Sequence, residues 1–236
     1  MKTVILCGGL GTRLSEETVN KPKPLVKIGK YPIIWHIINI YKHYGFKDFI
    51  LATGFKEKMF KKYFQKNKIK GCNIKLVNTG LKTQTGGRLL ALKKYLIGQE
   101  NFMLTYGDGL SNVNIKKLVN FHKKKKSLAT VTAVHPPVRF GELKIQKDIV
   151  IDFKEKAQTK SNWISGGFFV FNKKIFDLMP SNSNAILEEK TFTKLVKIKK
   201  FNAFKHENFW QCMDTLREKR MLDKQWKQKK AKWKIW

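Results

Sequence analysis

The sequence predicts a single α/β domain built on a mainly parallel, mixed β-sheet flanked by helices. Three observations lead to that class. Short apolar β-type runs alternate with segments whose apolar residues recur at helical spacing over residues 3–134. Two glycine turns, at 8–11 and 107–109, each follow such a run directly. The 236 residues, 42% of them hydrophobic, suffice for one full core, and no repeat, low-complexity linker or Pro/Ser-rich break divides them.

The elements follow in order. Residues 3–7, Thr-Val-Ile-Leu-Cys, read as a buried strand. Gly8, Gly9 and Gly11 then remove side chains that would keep a ligand from the backbone. Consecutive N–H groups, with Arg13 and Lys23 close by, form a concavity suited to a polyphosphate. The loop is not a P-loop, which needs Gly-Lys-Ser/Thr, nor G-x-G-x-x-G, because Leu14 stands at the last glycine position. Pro32 suits a first helical turn, and Ile33, Ile34, Ile37, Ile38 and Tyr41 continue one apolar face up to Gly45. A strand at 48–53, a lysine-rich helix at 56–66 and a strand at 73–77 come next. Thr83-Gln84-Thr85-Gly86-Gly87-Arg88 sets hydroxyls, glycines and one arginine ahead of a helix over 88–96, which suits either anion binding or a simply capped helix start. A strand at 102–106 ends on Gly107-Asp108-Gly109, and a helix at 114–125 and a strand at 128–134 follow. Beyond 140 the strands crowd together at 142–146, 149–154 and 164–171. A last strand near 200–205 precedes Phe209-Trp210-Gln211-Cys212-Met213-Asp214-Thr215 and a terminal helix. In such Rossmann-like sheets ligands sit beyond the carboxyl ends of the strands, where both glycine turns fall.

The formal charge of +32 raises the question of nucleic acid or anionic lipid. Only five of the 49 basic residues are Arg, however, and the lysines are spread along the chain. Without Arg forks or a recognisable reading module, this pattern predicts solvated lysine faces with salt-sensitive polyanion binding and no specific nucleic acid. No apolar run reaches the length of a membrane span, and residues 4–7 run straight into the glycine turn rather than forming a leader. Cys7, Cys72 and Cys212 show neither metal spacing nor a disulfide framework, which fits a reducing cytoplasm. The basic, aromatic stretch 217–236 is expected to pack back on the domain or on another subunit.

Acidic residues are scarce, 17 in all, so Asp108 between two glycines stands out. Magnesium takes one or two carboxylates plus phosphate oxygens and water, and Asp108 with Asp214 would meet that need if the fold joins them. Taken alone, Asp108 also suits a turn and Asp214 a helix N-cap. The five histidines read as structural or surface residues, and no Ser or Cys stands in a nucleophile context.

Several separated motifs together resemble the sugar-phosphate nucleotidyltransferase family. They are Gly-Gly-Leu-Gly-Thr-Arg-Leu-Ser-Glu-Glu-Thr (8–18), Lys-Pro-Lys-Pro-Leu (21–25), Pro-Ile-Ile-Trp-His-Ile (32–37), Thr-Gly-Gly-Arg-Leu (85–89) and Thr-Tyr-Gly-Asp-Gly (105–109). Pro-Pro-Val-Arg-Phe-Gly (136–141), Gly-Gly-Phe-Phe-Val (166–170) and Phe-Trp-Gln-Cys-Met-Asp-Thr (209–215) complete the set. The fourth and last motifs resemble the cytidylyl branch. The resemblance implies the nucleotide-diphospho-sugar transferase fold, with a nucleotide-binding part at 1–135, a small β-rich sugar-phosphate-binding part at 136–215, and a C-terminal helix and basic tail at 216–236. It implies CTP and glucose 1-phosphate as substrates, Mg²⁺ as cofactor, a homo-oligomer, and a role in deoxysugar and surface polysaccharide synthesis. Residue by residue, it assigns Leu6, Cys7, Gly8, Gly9, Leu10, Gly11, Thr12, Arg13, Lys23, Thr83, Arg88 and Gly107 to the nucleotide. Arg13 and Lys23 are the implied catalytic cations, and Asp108 and Asp214 the implied metal ligands. Phe140, Gly141, Glu155, Lys156, Gly166 and Gly167 are implied to line the sugar phosphate. The chain departs from the family pattern in a short segment between Phe64 and Asn73, in Ala157 where proline is usual, and in Ser165 where asparagine is common. The 186–195 stretch, with Leu187-Glu188 and Phe192, is more similar to other sugar nucleotidyltransferases than to the cytidylyl branch. The same reaction with dTTP, UTP or GTP, or with another sugar 1-phosphate, is therefore the alternative the resemblance leaves open.

Overall fold

The computed structural model describes residues 1–136, 142–154 and 162–236. In chain order the regular elements are β1 (Thr3–Leu6), α1 (Ser15–Thr18), β2 (Lys27–Ile28), β3 (Tyr31–Pro32), α2 (Ile33–His43), β4 (Asp48–Thr53), α3 (Glu57–Lys66) and β5 (Asn73–Asn78). They continue as α4 (Thr85–Ala91), β6 (Asn101–Tyr106), β7 (Gly109–Ser111), α5 (Ile115–Lys125), β8 (Ala129–Val134), β9 (Glu142–Gln146) and β10 (Ile149–Lys154). The last are β11 (Ile164–Asn172), α6 (Phe192–Lys197), β12 (Phe201–His206), β13 (Trp210–Cys212) and α7 (Leu216–Lys227).

A seven-stranded sheet in the order β12-β8-β11-β6-β1-β4-β5 forms the centre. β1 pairs in parallel with β4 and β6, and β4 with β5 and β12 with β8 are parallel too. All four β1 residues are buried. Ile5 packs with the apolar faces of α2, α3 and α5 on one side, and Val4 and Leu6 pack with α4 and α6 on the other. Cover on both faces is why this strand reads as a continuous apolar run rather than an alternating one. Among the described residues no helix is long and apolar enough to cross a membrane.

Three details differ from the sequence expectation. The strand β11, expected among the crowded strands of the small β-rich part, lies inside the central sheet, antiparallel to both β6 and β8. Its Phe168–Phe171 run is fully buried, so core packing draws it in. Among the described residues of that stretch, β9 and β10 pair with each other as a two-stranded sheet apart from the central one. Second, α4 begins at Thr85 rather than at Arg88, and a 3₁₀ turn, Lys93–Leu96, completes the 88–96 segment. In this added first turn Gly86 lets the Ala185 backbone approach closely, since an added Cβ would stand 2.7 Å from the Ala185 carbonyl oxygen. Third, the helix N-cap near residue 214 is Thr215, not Asp214.

The C-terminal stretch folds back onto its own domain. Trp233 is fully buried and donates from Nε1 to His36 Nδ1 at 3.3 Å, and the Trp226 ring stands edge-on to His36 at 4.5 Å. Asp223 Oδ1 accepts from Gly29 N at 2.7 Å, which fastens α7 to the β2–β3 turn.

Candidate active site

Asp108 and Asp214 lie 106 residues apart in sequence, and a short antiparallel ribbon joins them. β7 pairs with β13 so that Gly109 faces Cys212. Asp108 immediately precedes the first strand and Asp214 follows shortly after the second, so antiparallel pairing puts them at the same end. Met213 N donates to Asp108 O at 2.9 Å and closes that end. Asp214 is then fixed by α7's capping box. Thr215 Oγ1 accepts from Glu218 N, and Glu218 Oε2 accepts from the Thr215 and Asp214 amides at 2.9 and 2.7 Å.

Lys23 reaches both carboxylates. Its Nζ donates to Asp108 Oδ2 at 2.6 Å and to Asp214 Oδ1, while Arg13 Nη1 stands 2.7 Å from Asp214 Oδ2. Burial alone would lower the Lys23 pKa, but the adjacent Asp108 and Asp214 outweigh it and raise that pKa. Burial would likewise raise Asp214, but the hydrogen bond and charge of Lys23, with the charge of Arg13, hold it below the usual carboxylate range. Lys23 opens a 3₁₀ turn, Lys23–Leu25, framed by Pro22 and Pro24. Pro24 packs on Gly107 so closely that a Cβ there would lie 2.7 Å from Pro24 Cγ. The Lys-Pro-Lys-Pro and Gly-Asp-Gly motifs are thus two halves of one contact.

The glycine loop is built differently from the sequence expectation at one point. Gly9 is open to solvent space, but Gly8 is kept small by Arg88, whose guanidinium would collide with any Cβ there. Arg88 is buried and spends its donors on the protein: Nη1 on Thr53 O, Thr79 Oγ1 and Gly80 O, and Nη2 on Gly8 O and Leu81 O. It ties the 8–13 loop to the 79–81 turn, so its hydrogen bonds shape the cleft wall from behind. Gly11 takes φ +71°, with Thr18 Oγ1 donating to its carbonyl at 3.0 Å.

A cleft of about 700 Å³ runs from Leu6, Cys7, Gly8, Gly9, Leu10, Gly11, Thr12 and Arg13 past Lys23 and Gly107 to Thr83 and Arg88. All twelve residues assigned to the nucleotide therefore border one space. A second cleft, about 260 Å³, holds Gly166, Gly167, Trp210 and Cys212 with Asp214. Arg13, Tyr106 and Asp108 line both, so the clefts meet at those side chains. Phe140, Gly141, Glu155 and Lys156, assigned to the sugar phosphate, lie outside the described residues. From sequence, Trp210 and Tyr106 are only members of motifs, with no role in the site. Trp210 Nε1 donates to Gly166 O at 2.7 Å, and Tyr106 ends a strand beside Gly107, a position that marks binding residues in sheets of this kind.

No thiolate is available at this junction. Burial, followed by the charge of Asp108, pushes the Cys7 thiol far up. Cys212 is pushed up to about 12 by burial and by the charges of Asp214, Glu218 and Asp108. Both thiols stay protonated near neutrality and are poor nucleophiles. The arrangement can bind and orient anions, but it lacks an activated side-chain nucleophile among the groups at the junction.

A family model described as nucleotidyl transferase matches residues 2–225. A glucose-1-phosphate cytidylyltransferase of Salmonella typhi is 42% identical over the whole of both chains, and so is one of Salmonella typhimurium. Among solved structures, HddC from Yersinia pseudotuberculosis superposes with a TM-score of 0.76 at 22% identity, covering 95% of this chain and 99% of its own.

Proposed function

This chain belongs to the nucleotidyl transferase family, and on that premise we propose that it transfers CMP from CTP to glucose 1-phosphate, giving CDP-glucose and pyrophosphate. The observation that carries the reading is the meeting of a glycine-loop cleft and a second, smaller cleft at Arg13 and Asp108, beside Lys23.

The reaction needs little covalent help from the protein. A phosphate oxygen of glucose 1-phosphate, already an anion, attacks the α-phosphorus of CTP. The new O–P bond forms as the bond to the β-phosphate bridging oxygen breaks, and pyrophosphate leaves with the electron pair. No proton is abstracted from the attacking group, which suits a junction of cations and carboxylates. The loop amides at 8–13 and the Arg13 guanidinium bind and orient the triphosphate. The Lys23 ammonium neutralises charge that shifts toward the leaving oxygens. Gly166 and Gly167, with the Trp210 ring holding the Gly166 carbonyl, form the floor on which the sugar rests.

Asp108 and Asp214 suit a magnesium ion. Both offer hard oxygen donors, and the Lys23 ammonium that bridges Asp108 Oδ2 and Asp214 Oδ1 supports the reading that the pair would hold a cation. Asp108 and Asp214 would hold the ion, which would supply further positive charge to the phosphates. The product fits a role in deoxysugar and surface polysaccharide synthesis, and the free thiols fit a reducing cytoplasm.

The test is pyrophosphate release from purified protein with Mg²⁺, glucose 1-phosphate and each of CTP, UTP, dTTP and GTP. The expected result is a clear preference in kcat/KM for CTP. A preference for another triphosphate reassigns the nucleotide, and no release with any of them sinks the reading.

A further inference from the structure

Tyr106 belongs to both clefts, and its hydroxyl is held by a residue that borders neither. That residue is Glu188, on a single π-helical turn, Leu187–Thr191, set just ahead of α6. Such turns recur at functional sites. Glu188 Oε1 accepts from the Tyr106 hydroxyl, and its Oε2 accepts from Thr85 Oγ1 at 2.6 Å. Leu187 N donates back to Thr85 Oγ1 at 3.0 Å.

The same stretch fastens the start of α4. Gln84 N donates to Ser183 O at 3.0 Å, and Gly87 N donates to Ala185 O at 3.1 Å. Gly87 must be glycine for this approach, because a Cβ would collide with Ser183. α4's first turn and the residues before it supply the nucleotide cleft with Thr83, Gln84 and Thr85. On the other side the Tyr106 ring rests on Gly167, where an added Cβ would lie 2.6 Å from Tyr106 Cδ2. One carboxylate therefore grips a wall of the nucleotide cleft with one oxygen and the residue under the sugar-side glycines with the other. Both are charge-assisted hydrogen bonds, stronger than neutral ones.

We infer that Glu188 is a positioning residue that couples the two substrate sites, so that filling the nucleotide cleft sets the sugar cleft through Thr85, Glu188 and Tyr106. The inference rests on the proposed transferase reading, with sugar phosphate and nucleotide in adjoining clefts. It differs from a purely structural role in one measurable way: the affinity of one substrate depends on the other through this side chain.

The experiment measures glucose 1-phosphate binding by calorimetry, with and without a saturating α,β-methylene nucleotide that cannot transfer its nucleotidyl group. The base is whichever one the pyrophosphate assay selects, so an error in nucleotide assignment appears in that assay and not in this one. Wild type is expected to bind the sugar phosphate about tenfold more tightly with the analogue present. Glu188→Gln should cut that factor at least threefold. Tyr106→Phe, which removes one oxygen and keeps the ring on Gly167, should do the same, and the double variant should lose no more than the worse single. Equal coupling in wild type and both variants, losses that multiply in the double variant, or no coupling in wild type would each overturn the inference.

Discussion

At the scale of single residues, the site is organised by Lys23, which is largely buried and holds two carboxylates at once. Removing it leaves Asp108 and Asp214 facing each other, with Arg13 still paired to Asp214, and takes away the ammonium proposed to neutralise the phosphates. Lys23→Ala and Asp108→Asn should each lower kcat/KM by at least about 10²–10³, the usual loss for one electrostatic contact of this kind. Steady-state kinetics within tenfold of wild type in either variant would remove that residue from the reaction. The sequence pointed to these groups because Gly-Asp-Gly after a strand and lysine between prolines are unusual contexts for charge. It also marked Gly8 as a residue that must be small. The reason given for Gly8 was ligand approach, whereas the structure fills that space with Arg88. Composition tells that a Cβ is missing, but not which neighbour arrives from 80 residues away.

At the scale of elements, α7 carries two separate consequences. Its capping box holds the backbone of Asp214, so Thr215→Ala should cost about 1 kcal/mol of stability and also lower activity by misplacing that carboxylate. Denaturant unfolding and kinetics on the same variant check both; intact activity alongside the stability loss would separate the cap from the site. The sequence reading offers Asp214 as the cap here; the Thr-x-x-Glu spacing at 215–218 is the local signal that identifies Thr215 instead. The segment after α7 docks on α2 through His36. Its Nε2 lies 3.1 Å from the Ile28 carbonyl oxygen, and its Nδ1 accepts from Trp233, so the neutral Nε2–H tautomer satisfies both partners. A second ring proton would point at the indole N–H, and burial pushes the His36 pKa down to about 4. The folded state therefore binds this proton less readily than the unfolded chain, whose histidine titrates near 6.5. The His36 contribution is complete above about pH 6.5 and is lost as pH falls toward 4, a change of roughly 3 kcal/mol. Urea unfolding from pH 7.5 to 4 should show this decline, and His36→Gln should flatten it. An unchanged slope in the variant would place the titrating group elsewhere, with His122, also held at about 4 by burial, the next to test.

Across the whole molecule, a charge of +32 on 236 residues sets a background of self-repulsion. Raising NaCl from 10 mM to 0.5 M shortens the screening length severalfold and should raise Tm, by about 2–4 °C for each kcal/mol of repulsion removed. Binding to duplex DNA should vanish over the same range without preference for sequence. A falling Tm, or a complex that survives 0.5 M salt, would contradict the reading of diffuse solvated lysine. Element types and their order were written in local patterns: β-type apolar runs, helical spacing and glycine stops, each set by a few neighbouring residues. Partnership was not. Nothing in 164–172 says that this strand enters the central sheet antiparallel between two others, because periodicity reports which face is buried and not what covers it. The same limit holds for Glu188, whose role depends on two hydrogen bonds spanning 103 and 82 residues. Chemistry short enough to be encoded in a turn could be read directly from the chain, while contacts between distant segments exist only after packing chooses among many sterically similar neighbours.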